Sequence, residues 1–247
     1  MTLNSGNFIC DCQGILNQED LNKLIASIDR ELLPNLKLIS IHPHHPVVVD
    51  RVTQPWQLLG TGNYAAVFYH SAYPNLAIKI YAPGREGWSE EVEVYRRLGA
   101  HPAFSKCFYA RDNFLVLQRL YGTTLYDAMH RGFKISRQVI KDIDLALMYA
   151  HSRNLNPHDV HGRNVMMSSE GKGLVVDISD FLKSEPCRLW SDLKTAYTWL
   201  YIPLFSWHRS PLPYFMLDLV RGGYRTWRSW FKLSKASYTN NQKYLDK

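Results

Sequence analysis

The stretch PWQLLGTGNYAAVFYHSAYPNLAIKIYA, residues 55–82, constrains the fold of this chain more than any other. It contains three short apolar runs separated by turn-type sequences, GTGN and SAYPN. Runs rich in β-branched and aromatic residues and bounded by Gly, Pro and Asn indicate strands joined by tight turns. We therefore predict three consecutive strands, with Lys79 in the middle of the apolar third one.

Helical and strand-like segments surround this unit. Apolar residues recur at helical spacing over residues 17–33, 88–98 and 136–151, and each segment predicts a helix, the first ending at Pro34. The runs KCFYA and FLVLQRL read as strands, NVMM and GLVVDI as a small hairpin, and the chain from about residue 190 as helical and rich in Trp and Tyr.

This order favours an α+β chain of two lobes, a strand-rich half followed by a helical half with a small hairpin. We expect three parts along the sequence. They are an N-terminal extension with one helix (1–50), a strand-rich lobe (51–120) and a reduced helical lobe (121–247).

The composition of the chain limits the classes of partner, membrane segment and metal site that we expect. The 29 Lys and Arg against 22 Asp and Glu give a net charge of +7, which favours anionic partners, and the basic residues lack the pattern of a nucleic-acid-binding motif. The apolar stretch AYTWLYIPLFSW is too short for a bilayer span, and the N-terminus lacks a signal-peptide pattern. Four cysteines without CxxC spacing argue against zinc and disulfides, and the histidines of HPHH favour a polar loop over a metal site. We expect a cytoplasmic protein.

Three features of the first half have both a structural and a functional interpretation. The two glycines of LGTGNYAAV form a tight hairpin or allow a phosphate close to backbone N–H groups. Lys79 faces solvent from an edge strand or faces an interior anion. Glu91 lies on the apolar face of its helix, with Trp88 and Tyr95, where a buried carboxylate requires a partner such as Lys79.

The stretch NPHDVHGRNVMM, residues 156–167, carries the remaining chemistry. Asp159 and Asn164 lie five residues apart, and Asp177 follows at the end of the GLVVDI run. Singly, each is an ordinary turn residue. Together, one carboxylate can face a hydroxyl while the amide and the second carboxylate supply oxygen ligands to Mg²⁺.

In this order the motifs resemble the protein-kinase superfamily, and in particular the minimal or atypical bacterial serine/threonine kinases, including secreted effector kinases. The resemblance covers about residues 55–200 and implies a two-lobed kinase-like fold that uses ATP and Mg²⁺. It implies catalytic roles for Asp159, His161, Lys79 and Glu91, and metal ligation by Asn164 and Asp177. It implies nucleotide binding by Gly60, Thr61, Gly62, Asn63, Val67, Lys79, Gln118 and Leu120. It also implies Leu117 as gatekeeper and Asp192 as the acid that anchors the supporting helix.

The sequence departs from the kinase pattern at several places. Ala65 occupies the position of the third glycine of the kinase loop. Pro157 and His158 occupy the positions of the usual His-Arg, and His161 replaces the lysine two residues after the catalytic Asp. DISDF replaces Asp-Phe-Gly, and the distance from Asp177 to Asp192 leaves no room for a full activation segment. These departures imply a small kinase that phosphorylation does not control.

Alternatives remain within and outside catalysis. We expect a hydroxyl-bearing acceptor, most simply a protein, and a monomer. His161 and Gly162 are also typical of small-molecule kinases of the aminoglycoside, choline or sugar type, and an ATP-binding pseudokinase is the non-enzymatic alternative. Asp180 is a weaker candidate for a metal ligand. Arg163 either contacts the phosphate or the acceptor, or is a solvated surface residue. The basic aromatic tail, residues 224–238, favours packing on the lobe over membrane contact, and residues 1–50 leave docking, autoinhibition and delivery into a host cell open.

Overall fold

The computed structural model describes residues 7–8, 17–42 and 45–205. Its largest sheet has six antiparallel strands in the order β1-β7-β8-β6-β5-β4. These are β1 (Asn7–Phe8), β4 (Trp56–Thr61), β5 (Ala65–His70), β6 (Leu76–Tyr81), β7 (Cys107–Arg111) and β8 (Phe114–Gln118). A short ribbon of β2 (Leu38–Ile39) and β3 (Val48–Val49) lies beside it. The three strands predicted within residues 55–82 are β4, β5 and β6.

An N-terminal helix covers one face of this sheet. Helix α1 (Gln18–Ser27) begins at Asn17, whose side chain accepts a hydrogen bond from the Asp20 N–H at 2.7 Å, and it continues as a π-helical turn, Ile28–Leu32. Its apolar stripe packs against the strand residues of one pleat face. The cluster includes Leu21, Leu24, Ile28, Phe68, Ile78, Phe108 and Val116. Residues 17–32 are thus an integral layer of the strand-rich lobe.

The opposite face of the sheet packs on helix α2 (Trp88–Leu98) and on the second lobe. Two glycines with positive φ bound this helix, Gly87 (φ 107°) before it and Gly99 (φ 66°) after it. Leucines of β8 and α2 then share one buried cluster with residues of the helical lobe. The strand-rich and helical lobes are therefore joined by a common core.

The helical lobe contains α3 (Leu125–His130), α4 (Arg137–Ser152) and α5 (Leu189–Ala196), followed by a π-helical turn, Tyr197–Tyr201, and α6 (Ile202–Phe205). A small sheet of β9 (Thr123–Thr124), β10 (Val165–Met167) and β11 (Gly173–Val175) lies on α4. Gly173 permits this packing, because a Cβ there would lie 2.4 Å from the Val139 carbonyl oxygen. Its N–H donates to Asp142 of α4 at 3.0 Å.

These elements confirm the predicted α+β, two-lobed, kinase-like fold. The helices predicted at 88–98 and 136–151 are α2 and α4, and the predicted hairpin is β10–β11. One detail differs, since β11 ends at Val175 and Asp177 lies two residues beyond it. Within the described ranges we find no helix long and apolar enough to cross a membrane. The basic aromatic tail, residues 224–238, lies outside the described residues.

Candidate active site

Lys79 of β6 lies at the centre of the interlobe contacts. Its Nζ is 2.9 Å from Glu91 Oε1, 2.7 Å from Oε2, and 3.4 Å from Asp177 Oδ1. The Glu91 side chain is only 1% exposed and that of Lys79 13%. Tyr81, two residues after Lys79 on the same strand face, donates its hydroxyl to Glu91 Oε2, one of the two oxygens that Lys79 contacts. The expected Lys79–Glu91 ion pair is thus confirmed, and it extends to Asp177 in the helical lobe.

Charge and burial oppose each other in this triad. Burial by itself lowers the pKa of Lys79, but the charges of Asp177 and Glu91 outweigh it and raise that pKa above its ordinary value. Burial likewise raises the pKa of Asp177, whereas Lys79 and hydrogen bonds from Ser179 outweigh it and lower the pKa overall. Lys79 therefore stays a cation and Asp177 a carboxylate at neutral pH.

The loop before β10 presents Asp159 and Asn164. Asp159 has a positive φ of 56°, uncommon for a residue other than glycine. The Asn164 Nδ2 donates to the Asp159 carbonyl at 3.0 Å, and the Asn164 carbonyl accepts from the Val176 N–H at 3.0 Å. These bonds fix Asp159 relative to the strand end that leads to Asp177. This loop of turn-type residues is therefore fixed by one hydrogen bond within it and by another to the residue after β11.

Asp159 is half-exposed in the cleft, and its pKa is raised. Burial is the main cause, the charges of Asp180 and Asp177 add to it, and His161 and His158 oppose it. His161 Nε2 lies 3.7 Å from Asp159 Oδ2, and its Nδ1 accepts the Arg163 N–H at 3.3 Å. A carboxylate whose proton affinity is increased in this way is suited to accept a proton from a hydroxyl.

The oxygen donors fit a magnesium ion, the metal that the kinase resemblance implies. The Asn164 Nδ2 donates to the Asp159 carbonyl, and the amide oxygen accepts no hydrogen bond from any residue that the structure describes. The Asp177 side chain is 40% exposed and faces the cleft beside Lys79. Carboxylate and amide oxygens suit this hard cation. No group of three or more His, Cys, Asp or Glu side chains able to hold a metal occurs among the described residues, and His44 of HPHH lies outside them.

The glycine-rich turn between β4 and β5 uses some of its backbone groups within the protein and leaves others without a partner among the described residues. The Gly62 N–H donates to the Ala65 carbonyl at 2.8 Å within the turn, and the Gly62 carbonyl accepts from Val47 at 2.9 Å. The N–H groups of Asn63 and Tyr64 have no partner among the residues that the structure describes. They are the donors that a phosphate can reach.

The glycines themselves leave space for a ligand. A Cβ built on Gly60 meets nothing within 4 Å, and one on Gly62 meets only the Ala65 carbonyl, at 3.7 Å. Packing within the protein therefore does not require glycine at either position. Thr61 is the last residue of β4, and half-buried Val67 within β5 lies opposite Gly60 on one side and Lys79 on the other.

The end of β8 and the residues that follow it were predicted to bind the nucleotide. Leu117 is buried at 7% exposure, opposite Ala77 of β6. The Gln118 N–H is already bonded to the Lys106 carbonyl at 2.8 Å, and the Gln118 carbonyl accepts from the Ser105 hydroxyl at 2.6 Å. Only the second lone pair of that carbonyl remains for a ligand. The Leu120 backbone makes no hydrogen bond within the described part of the chain.

Other predicted residues have structural partners. Asp180 pairs with Lys183 at 2.7 Å and lies 3.9 Å from His158 Nδ1, and Arg163 stacks 3.6 Å over the Tyr126 ring. Asp192 is in α5, whose neighbouring residues Trp190 and Lys194 both bond Asp144 of α4. This places α5 beside the loop that carries Asp159, where Leu193 lies near Gly162.

Three residues of the site were not singled out from the sequence. Tyr81 shares a strand face with Lys79, and the period-2 rule identifies it once Glu91 is placed there. Asn156 and Lys183 bond across two loops, a contact that no local pattern specifies.

The lobes, the Lys79–Glu91 pair and the fixed loop define a protein-kinase-like chain. No family model matches it. YrzF of Bacillus subtilis (strain 168), named as a candidate serine/threonine-protein kinase, is 29% identical over 74% of this chain and 85% of its own length. The serine/threonine-protein kinase PEPKR2 of Arabidopsis thaliana is 26% identical over 50% of this chain, and CBL-interacting serine/threonine-protein kinase 16 is 27% identical over 49%. The matches cover 28% and 30% of those two plant proteins. The relatives' names support a serine/threonine kinase, a phosphotransferase.

Proposed function

We propose that this chain transfers the γ-phosphoryl group of Mg-ATP to a hydroxyl of a protein, as a minimal serine/threonine kinase that is active without modification. The observation that carries the proposal is the contact of Lys79 with both Glu91 of the strand-rich lobe and Asp177 of the helical lobe. A kinase needs its strand lysine and its metal carboxylate in place together.

Each residue has a defined task in this proposal. The tip N–H groups of Asn63 and Tyr64 bind phosphate oxygens, while Lys79, held by Glu91, neutralises the α and β phosphates. Asn164 and Asp177 hold Mg²⁺, which offsets phosphate charge when bound. Asp159 accepts a hydrogen bond from the acceptor hydroxyl, orients it and takes its proton. His161, beside Asp159, donates to the transferred group when protonated.

The decisive experiment is transfer of the γ-label of radiolabelled ATP by the purified protein in a cell lysate, with protein and small-molecule fractions counted separately. Asp159→Ala is the inactive comparison, and Asp20→Ala, which changes an aspartate of α1 on the sheet face opposite the helical lobe, is the matched control. Label in protein that disappears only with Asp159→Ala supports the proposal. Label only in small molecules favours a metabolite kinase instead, the class that His161 and Gly162 also fit. ATP binding without any transfer contradicts both.

A further inference from the structure

The segment that follows Asp177, residues 178–188, joins the site to α5 without forming a helix or a strand. In such a segment the backbone carbonyls need partners from elsewhere in the chain. A single residue, Asn156, supplies three of them. Its N–H donates to the Phe181 carbonyl at 2.8 Å, and its Nδ2 donates to the carbonyls of Lys183 at 2.7 Å and Glu185 at 3.2 Å.

Asn156 begins the stretch that carries Asp159, with only Pro157 and His158 between them. The bonds of Asn156 therefore join the catalytic loop to the segment on the far side of the metal aspartate. Phe181, whose carbonyl takes one bond, has a fully buried ring that packs edge-on against Phe104. The segment is thus fixed at one end by a buried aromatic ring and along its length by the Asn156 carboxamide.

The Asn156 bond to the Lys183 carbonyl also fixes the position of a charged pair, Lys183 and Asp180, near His158. Lys183, whose carbonyl accepts from Asn156, pairs through Nζ with Asp180 at 2.7 Å. Asp180 in turn lies 3.9 Å from His158 Nδ1, a buried nitrogen without a hydrogen-bond partner among the described residues. Because His158 is adjacent to Asp159, a shift of the segment would move charges beside the proposed base.

We propose that Asn156 is a positioning residue that holds residues 178–188 in the form competent for phosphoryl transfer, so that no phosphorylation is needed to order them. This inference rests on the proposed kinase function. It concerns the regulation of that site. The Asn156 carboxamide, with its two N–H donors, is always present, whereas a segment ordered by phosphorylation gains its contacts only after it is modified.

The test compares Asn156→Ala with a matched control, Asn35→Ala, which removes a similar bond, from Asn35 Nδ2 to the Glu31 carbonyl at 2.8 Å, far from the cleft. Three quantities are measured on the full chain. They are hydrogen–deuterium exchange by peptide, the Kd for a fluorescent N-methylanthraniloyl ATP with Mg²⁺, and γ-phosphoryl transfer to dephosphorylated casein and to the chain itself.

We expect Asn156→Ala to speed exchange at least tenfold in peptides covering residues 178–188, to leave exchange in α2 unchanged, and to change the nucleotide Kd less than twofold. Transfer should fall at least tenfold, and phosphatase treatment of the wild type should not reduce it. Asn156→Asp should reduce transfer further, because a carboxylate accepts but does not donate to the two carbonyls. Asn35→Ala should match the wild type in all three measurements.

Three results overturn the proposal. Unchanged exchange in residues 178–188 shows that the Asn156 carboxamide bonds do not hold the segment, and faster exchange throughout the chain shows a general structural role. Loss of wild-type transfer after phosphatase treatment contradicts the claim that modification is unnecessary. If the wild type binds nucleotide but transfers nothing, the proposed function fails, whereas the exchange comparison still tests the Asn156 connection.

Discussion

At the scale of single residues, the buried pair of Lys79 and Glu91 makes a clear energetic prediction. Removing one partner of a buried ion pair costs about 3–5 kcal/mol, and without Glu91 the buried Lys79 keeps only its longer contact, 3.4 Å, with the more exposed Asp177. We expect Glu91→Ala to lower the free energy of unfolding by that amount. Glu93, two residues on, pairs with Arg96 and Arg97 at the surface, so Glu93→Ala should cost no more than about 1 kcal/mol. Urea denaturation followed by circular dichroism measures both, and equal losses would contradict the burial argument.

The raised pKa of Asp159 predicts how activity depends on pH. If Asp159 accepts the proton, kcat/KM should fall as pH drops through a pKa above the ordinary aspartate value of about 3.9. The electrostatic effect of His161 lowers the pKa of Asp159, so His161→Asn should raise that pKa further and move the acid limb to higher pH. The control is His151→Asn, at the exposed end of α4. A pH–rate profile of each variant measures the limb, and a shift to lower pH would exclude this coupling.

At the scale of elements, α1 is the layer that the kinase resemblance did not include. Leu24 is fully buried between α1 and the sheet, so Leu24→Ala should lower the free energy of unfolding by about 2–5 kcal/mol. Leu145 of α4 is 51% exposed, and Leu145→Ala should change the stability by less than about 0.5 kcal/mol. Chemical denaturation compares the two. If Leu24→Ala were as mild as the control, α1 would contribute little to the strand-rich lobe.

Elements were easier to predict than the contacts between them. Helix α2 begins and ends at the predicted residues, because its apolar period and its flanking glycines are local signals. Glu91 was also predicted correctly as a partner of Lys79, since an acid on an apolar face requires a cation. In these cases the residues that decide the structure are close in sequence or chemically conspicuous.

The remaining features depend on long-range packing. Nothing local in GTGN indicates that the Val47 N–H bonds the Gly62 carbonyl. The commitment of the Gln118 N–H to Lys106 likewise depends on how β7 meets β8. Asn156 reads as a turn residue in sequence, and only the position of residues 181–185 gives it three partners. Tertiary contacts of this kind carry no periodic pattern.

At the scale of the whole molecule, the lobes are joined by one core and by backbone contacts behind the cleft. Leu98 and Leu115 of the strand-rich lobe share a buried cluster with Ile143 and Val175 of the helical lobe. The Tyr149 hydroxyl of α4 donates to the Leu98 carbonyl at 2.7 Å. Lobes that bury apolar surface against each other lose that burial when either one unfolds. We therefore expect the two lobes to unfold in a single transition.

Two tryptophans report on the lobes separately. Trp56 is buried in β4 at 2% exposure, and Trp190 lies in α5 at 9%. In protein labelled with 5-fluorotryptophan, the resonances of Trp56 and Trp190 are identified among those of the seven tryptophans by the variants Trp56→Phe and Trp190→Phe. These two resonances should lose their native intensity at the same urea concentration. Mg-ATP at about 100 times its Kd should stabilise the native state by about 2.7 kcal/mol and shift both midpoints equally, because the proposed site takes residues from both lobes. A Trp56 signal that stays native after Trp190 has unfolded would show that the shared core does not couple the lobes, and a nucleotide shift confined to one resonance would assign binding to that lobe alone.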